Sequence, residues 1–269
     1  MQKDIYFLAN SIKAKRSFLC VGIDPDLSKV PDVFKKSEQG IFDFSKAIID
    51  ATCEFAIAYK INVAFFEQLG AHGWEQLEKI VNYIPKNIFV IADAKRADIG
   101  NTSTCYAKYY FEDLQVDAVT LHPYMGVDSL EPFSNYPHKF LIILALTSNK
   151  GHADFQMQKM ANGKYLYEEV IHQFQSSNYA EKTMFVVGAT QPEHLKHIRD
   201  NFPDPFFLVP GIGAQGGNLQ KTIEYGQNKL GGLLINVSRN IIYPEGASTF
   251  ESNVNLAAKG FRDQMSVYF

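Results

Sequence analysis

The chain has 269 residues, 46% hydrophobic and 20% charged, with a formal net charge of −3; this suits one barrel-sized domain and offers no basic face for nucleic acid or a membrane surface. No stretch reaches about 18 apolar residues, and the N-terminus MQKDIYFLANSIKAKR carries charge throughout, so neither a membrane span nor a signal peptide is expected. Three cysteines (Cys20, Cys53 and Cys105) with no CxxC pair argue against a disulfide framework or zinc knuckle and for a reducing, cytoplasmic setting.

Along the chain, eight short apolar runs end in polar residues or glycine: 18–24, 56–62, 89–95, 118–123, 140–147, 184–190, 206–213 and 233–239. Near-continuous apolar runs of this length suit strands buried on both faces, as in a parallel sheet. Helical periodicity fills the intervals. Phe42, Ile48, Ile49 and Phe55 mark one apolar stripe, and Trp74, Leu77, Ile80 and Val81 another. A further helix is expected over 103–114. Strand and helix alternating eight times predict an α/β chain: a single-domain (β/α)8 TIM barrel spanning residues 1–269. An open doubly wound sheet is the alternative, but no GxGxxG follows the first run.

The polar residues gather at the C-terminal ends of the runs: Asp24, Lys60, Asn62, Asp93, Lys95, His122, Ser148 and Arg239. In a barrel those ends share the face that carries the active site. Asp93 and Lys95, two apart on one strand, are expected to point the same way. Lys60 ends the neighbouring strand, and Asp98 follows in the next loop. Two carboxylates and two ammonium groups of alternating sign hold one another ionised, either as a structural salt-bridge network or as a reaction centre. A second grouping joins the glycine-rich turn 210–217 to Asn236-Val-Ser-Arg239. Loops after strands seven and eight commonly bind phosphate, and an arginine fork fits phosphate oxygens.

The segment Asp93-Ala-Lys95-Arg-Ala-Asp98-Ile-Gly-Asn-Thr102 resembles the DxKxxD signature of the orotidine 5'-monophosphate decarboxylases. Four further segments are similar to that family's longer, second-type branch: Val21-Gly-Ile-Asp24-Pro-Asp, Lys60-Ile-Asn-Val-Ala-Phe-Phe-Glu67, Leu146-Thr-Ser-Asn149 and Pro210-Gly-Ile-Gly-Ala-Gln-Gly216 with Gly217. The resemblance covers nearly the whole chain in order. It implies cofactor-free decarboxylation of orotidine 5'-monophosphate to uridine 5'-monophosphate in pyrimidine biosynthesis. Lys95 would protonate carbon 6, Asp93 would face the departing carboxylate, and Lys60 would orient Asp93 and contact the ribose. Asp98, Ile99 and Thr102 would enter the site of a second subunit, making a homodimer. Asp24 would bind ribose hydroxyls, Ser148 the pyrimidine edge, and Gln215 and Arg239 the phosphate, with 211–217 as the lid. The resemblance also admits orotate phosphoribosyltransferase as a partner. Lys150 stands where the branch has proline, a departure that bears on base recognition.

Two rivals remain for comparison. Related barrels with DxKxxD act on sugar phosphates with magnesium, but carry a carboxylate where Lys60 stands here; an ammonium there disfavours a divalent cation, so no metal is expected. A silent nucleotide sensor would keep the phosphate loop and lose the charged tetrad, which this sequence retains. His194 and His197, three apart on one expected helix, read as a solvated face rather than metal ligands. His122 either lines the mouth or packs there, and Cys105 reads as a packed thiol without a base beside it.

Overall fold

The computed structural model describes residues 2–269. Eight parallel strands close into a barrel in chain order: β1 (Leu19–Ile23), β2 (Ala58–Asn62), β3 (Phe89–Arg96), β4 (Ala118–Leu121), β5 (Phe140–Leu146), β6 (Thr183–Val187), β7 (Phe207–Pro210) and β8 (Leu233–Val237). The last strand returns to the first, with Leu19 opposite Ile235 and Val21 opposite Val237. Closure leaves no edge, so every strand is covered on both sides and reads as apolar. β1, β4, β5, β6 and β8 are buried along their whole length.

Helices follow the strands and turn one apolar stripe inward. Gly40–Thr52 buries Ile41, Phe44, Ile48 and Ile49 after β1. Gly70–Tyr83 buries Leu77, Ile80 and Val81 after β2, with Trp74 half-buried at its side. Phe55 is buried too, but in the turn after the first of these helices rather than on it. The helix expected over 103–114 begins at Gly100 and changes at Tyr109 into a π-helical turn ending at Asp113. Leu166–Gln175, Pro192–Asn201, Leu219–Gly226 and Phe250–Ser266 complete the outer ring.

Local chemistry sets the helix starts. Asp4 accepts from the Phe7 amide and Asn218 from the Lys221 amide, satisfying donors that a helix leaves free at its N-terminus. Pro192 opens its helix, where its missing N–H costs nothing. Below the barrel, the buried Arg199 guanidinium donates to the carbonyls of Phe202, Pro203, Pro205, Gly226 and Gly232. It ties the entries of β7 and β8 together and leaves the opposite mouth to the polar residues. Among the described residues, no helix is long and apolar enough to cross a membrane.

Candidate active site

At the C-terminal mouth, β1 to β3 bring four charges into a row of alternating sign. Lys60, only 5% exposed, donates to Asp93 Oδ2 at 2.8 Å and lies 3.6 Å from Asp24 Oδ1. Lys95 Nζ donates to the other Asp93 oxygen, Oδ1, at 2.6 Å. Charges buried this deeply are tolerated because each has an opposite neighbour. Burial pushes the Asp93 carboxyl up, but the Lys60 and Lys95 ammonium groups outweigh it and hold the acid well below the usual carboxylate range. Burial likewise disfavours the Lys60 cation, and the Asp24 and Asp93 carboxylates more than restore it, raising it above the ordinary lysine value.

Asp93 and Lys95 meet as the spacing predicts, but not by simple alternation. The register between β3 and β4 shifts between Ala92 and Arg96, and Lys95 adopts the left-handed backbone region at φ 50°. A bulge of this kind re-aims a side chain, and such bulges favour functional sites.

Asp98 is not gathered with the other three. It sits in the loop after β3, accepts from its neighbour Ile99's amide at 2.8 Å, and makes no ion pair among the described residues. Ile99 is 61% exposed, and Thr102 is exposed on the first turn of the following helix. Asp24 Oδ1, the oxygen 3.6 Å from Lys60 Nζ, is buried without a hydrogen-bond partner among the described residues. Gly22 makes this corner fit: a Cβ there would lie 2.7 Å from Ser238 Cβ.

The grouping expected to meet a phosphate is assembled from β7, β8 and their loops. In the 211–217 turn, Gly211, Gly213 and Gly216 hold φ of 106°, 82° and 81°, a region that side chains resist. A Cβ on Gly213 would also lie 2.6 Å from Asn240 Oδ1. Arg239 opens the short helix Arg239–Ile242 just past β8 rather than ending the strand. It borders an open pocket of about 510 Å³ with Lys29, Asn240 and Tyr243. Gln215 is exposed at the tip of the glycine turn. Ser148 lies between β5 and β7, within 3.4 Å of where a Gly211 Cβ would stand. The loop carrying Lys150 is pinned, with Gln156 accepting from the Thr147 amide at 2.7 Å and His152 Nδ1 2.6 Å from the Asn149 carbonyl.

Other residues differ from their sequence reading. Cys105 is exposed, not packed; its helix turns Ser103 and Ala107 inward and this thiol outward. His194 is half-buried between Tyr165 and Tyr167, and His197 Nε2 lies 2.7 Å from Glu168 Oε1, so the pair joins two helices rather than facing solvent alone. His122 is exposed at the mouth, and burial together with the Lys95 cation lowers its pKa. Among the described residues, no three His, Cys, Asp or Glu side chains converge as metal ligands. Lys60 lies between Asp24 and Asp93, 3.6 Å and 2.8 Å from a carboxylate oxygen of each. A cavity of about 580 Å³ opens at the opposite end, lined by residues such as Asp4, His138 and Glu181, away from this chemistry.

Three polar interactions here are not assigned a role by the sequence. Thr120 on β4 bonds to both Asp93 and Lys95. Tyr243 Oη donates to the Asp24 carbonyl at 3.0 Å and accepts from the Asp26 amide at 2.7 Å, fixing the loop after β1. Arg96 pairs with Glu67 behind the site. A hydroxyl at the end of an apolar run was the available signal for Thr120.

A model described as orotidine 5'-phosphate decarboxylase / HUMPS family matches residues 17–247. Curated orotidine 5'-phosphate decarboxylases from Bacteroides fragilis (strain YCH46) and Porphyromonas gingivalis (strain ATCC 33277) are each 50% identical. They align over 96% of this chain and 96% of theirs, and over 97% and 95%, respectively. Among solved structures, the Leishmania donovani OMP decarboxylase superposes with a TM-score of 0.85 at 37% identity, covering 98% of both chains. The Leishmania donovani UMP synthase gives 0.86 at 40% identity, covering 97% of this chain and 55% of that one. By motif, fold and similarity along its length, the chain belongs to the orotidine 5'-phosphate decarboxylase / HUMPS family.

Proposed function

We propose that this chain decarboxylates orotidine 5'-monophosphate to uridine 5'-monophosphate in pyrimidine biosynthesis, using side chains alone. The observation that carries this reading is the row Asp24, Lys60, Asp93 and Lys95, ending in an ammonium group 2.6 Å from a buried carboxylate. Loss of carbon dioxide leaves a carbanion at carbon 6, in the plane of the ring. Lys95 stabilises that charge and delivers the proton, a contribution typically worth about 10²–10⁴-fold. Preorganised charge aimed at the same atom adds to it. Asp93, held ionised, faces the substrate carboxylate, and the repulsion ends when carbon dioxide departs. Lys60 fixes Asp93 and reaches the ribose, and Asp24 accepts a ribose hydroxyl.

Arg239 and Gln215 hold the phosphate, the 211–217 turn closes over it, and Ser148 meets the base edge. Phosphate binding remote from carbon 6 supplies energy for closure and orientation. Asp98, Ile99 and Thr102 complete the site of a second copy, so the working form is a homodimer. Asp98's lack of an ion pair among the described residues and the exposure of Ile99 support this. One domain, residues 1–269, supplies all of these residues. The three unpaired cysteines suit the cytoplasm, and orotate phosphoribosyltransferase is a partner through the intermediate it would supply.

Purified protein is mixed with orotidine 5'-monophosphate in excess chelator, and loss of orotate absorbance is followed. The expected result is rapid loss, with uridine 5'-monophosphate recovered. Absence of loss, together with magnesium-dependent turnover of a sugar phosphate, would overturn the reading in favour of the other branch of the family.

A further inference from the structure

We infer that Thr120 is a positioning residue, whose single hydroxyl sets both the Asp93 carboxylate and the backbone of Lys95. This rests on the roles proposed above for those two residues. Thr120 lies on β4, 1% exposed, opposite the irregular stretch of β3: the pairing passes from Ala92–Val119 to Arg96–Leu121 across it. Its Oγ1 accepts from the Lys95 amide at 3.0 Å and donates to Asp93 Oδ1 at 2.9 Å. The direction of each bond is forced. A backbone N–H only donates and an ionised carboxylate only accepts, so the hydroxyl proton must point at Asp93.

Two consequences follow from that geometry. Lys95 holds φ 50°, a conformation that persists for a side-chain-bearing residue only when its surroundings over-determine it. The Thr120 hydroxyl supplies the acceptor that a regular ladder would otherwise have offered to the Lys95 amide. It also occupies the oxygen of Asp93 that receives Lys95 Nζ at 2.6 Å. The backbone and the charged tip of Lys95 are thus both referred to one atom, which fixes where the ammonium group points. Loss of that atom leaves a partly buried amide without its partner and lets the bulge relax, moving Nζ from its line to carbon 6. Displacements of about 1 Å in a reacting group can cost about 10²-fold.

The test compares Thr120→Val, which removes the hydroxyl at nearly constant volume, with Thr120→Ser, which keeps it, and with Lys95→Ala. Thr120→Ala removes the same hydroxyl from a smaller side chain and serves if valine prevents folding. The readouts are kcat for orotidine 5'-monophosphate, affinity for uridine 5'-monophosphate and the melting temperature. The expected result is a fall in kcat of about 10- to 100-fold for the hydroxyl-free variant, unchanged nucleotide affinity and recovery in Thr120→Ser. If the hydroxyl-free variant stays within about twofold of wild type while Lys95→Ala is inactive, the Thr120 role is wrong and the reading of the site stands. If serine loses as much as valine, packing rather than the hydroxyl matters, and the role is again wrong. Substantial activity in Lys95→Ala would instead overturn the reading on which it rests.

Discussion

Lys95 bonds to Asp93, two residues earlier on the same strand, from a left-handed backbone at φ 50°, so one short segment supplies both a buried carboxylate and the ammonium group aimed out of it. Regular strand geometry would have laid the two side chains side by side. The bulge turns the second toward the first at the barrel mouth.

The ion pairs make stability pH-dependent in a stated direction. Asp93 has a folded pKa below its ordinary 3.8, so its contribution is present above about that pH and is lost as pH falls through the lower folded value. Lys60 has a folded pKa above 10.5, so its contribution is present below that value and is lost as pH rises through the folded one. The melting-temperature difference between wild type and Asp93→Asn should therefore narrow on acidification from neutral pH to about pH 3. A difference that stays constant over that range would show that the pairing does not depress this carboxyl.

Arg239 stands apart from the row of charges, in the corner built by the glycine turn and β8. On the proposed reading, removing it takes away charge-assisted bonds to the phosphate and little from the chemistry at carbon 6. Arg239→Ala should raise KM by about 10- to 100-fold, with a smaller change in kcat. An unchanged KM in steady-state kinetics would place the phosphate elsewhere.

The proposed sharing of Asp98 between subunits predicts a complementation result that a self-sufficient site cannot give. Lys95→Ala and Asp98→Ala are each expected to be nearly inactive as pure proteins. A mixed dimer has one site with both lesions and one with neither. Random pairing makes half of the dimers mixed, so reassembling equal amounts should recover about one quarter of wild-type activity. No recovery after verified subunit exchange would mean that Asp98 acts within its own chain.

The barrel was legible because closure buries every strand on both sides, so eight apolar runs stand out without any knowledge of pairing. The charged row was legible for a related reason: residues such as Lys60 and Asp93 interrupt apolar runs at their C-terminal ends, where few structural demands call for charge. What could not be read depended on registers between segments distant in sequence. Thr120 gains its role only because β4 lies against the irregular part of β3, and a threonine in an apolar run otherwise looks like strand filler. The outward face of Cys105 is not legible because helical phase cannot be fixed without knowing which turn meets the barrel, and here Ser103 and Ala107 take that face. The packing of His194 is not legible because its neighbours, Tyr165 and Tyr167, arrive from the preceding helix and the loop before it.

The most direct test of the account is single-turnover decarboxylation by Lys95→Ala at saturating orotidine 5'-monophosphate, in excess chelator, beside wild type and with uridine 5'-monophosphate binding measured on the same samples. With Lys95 as the proton donor, the rate should fall by more than about 10³-fold while nucleotide binding through the phosphate corner is largely kept. A variant that keeps more than about a tenth of the wild-type rate would contradict the central claim and move the proton donor away from Lys95.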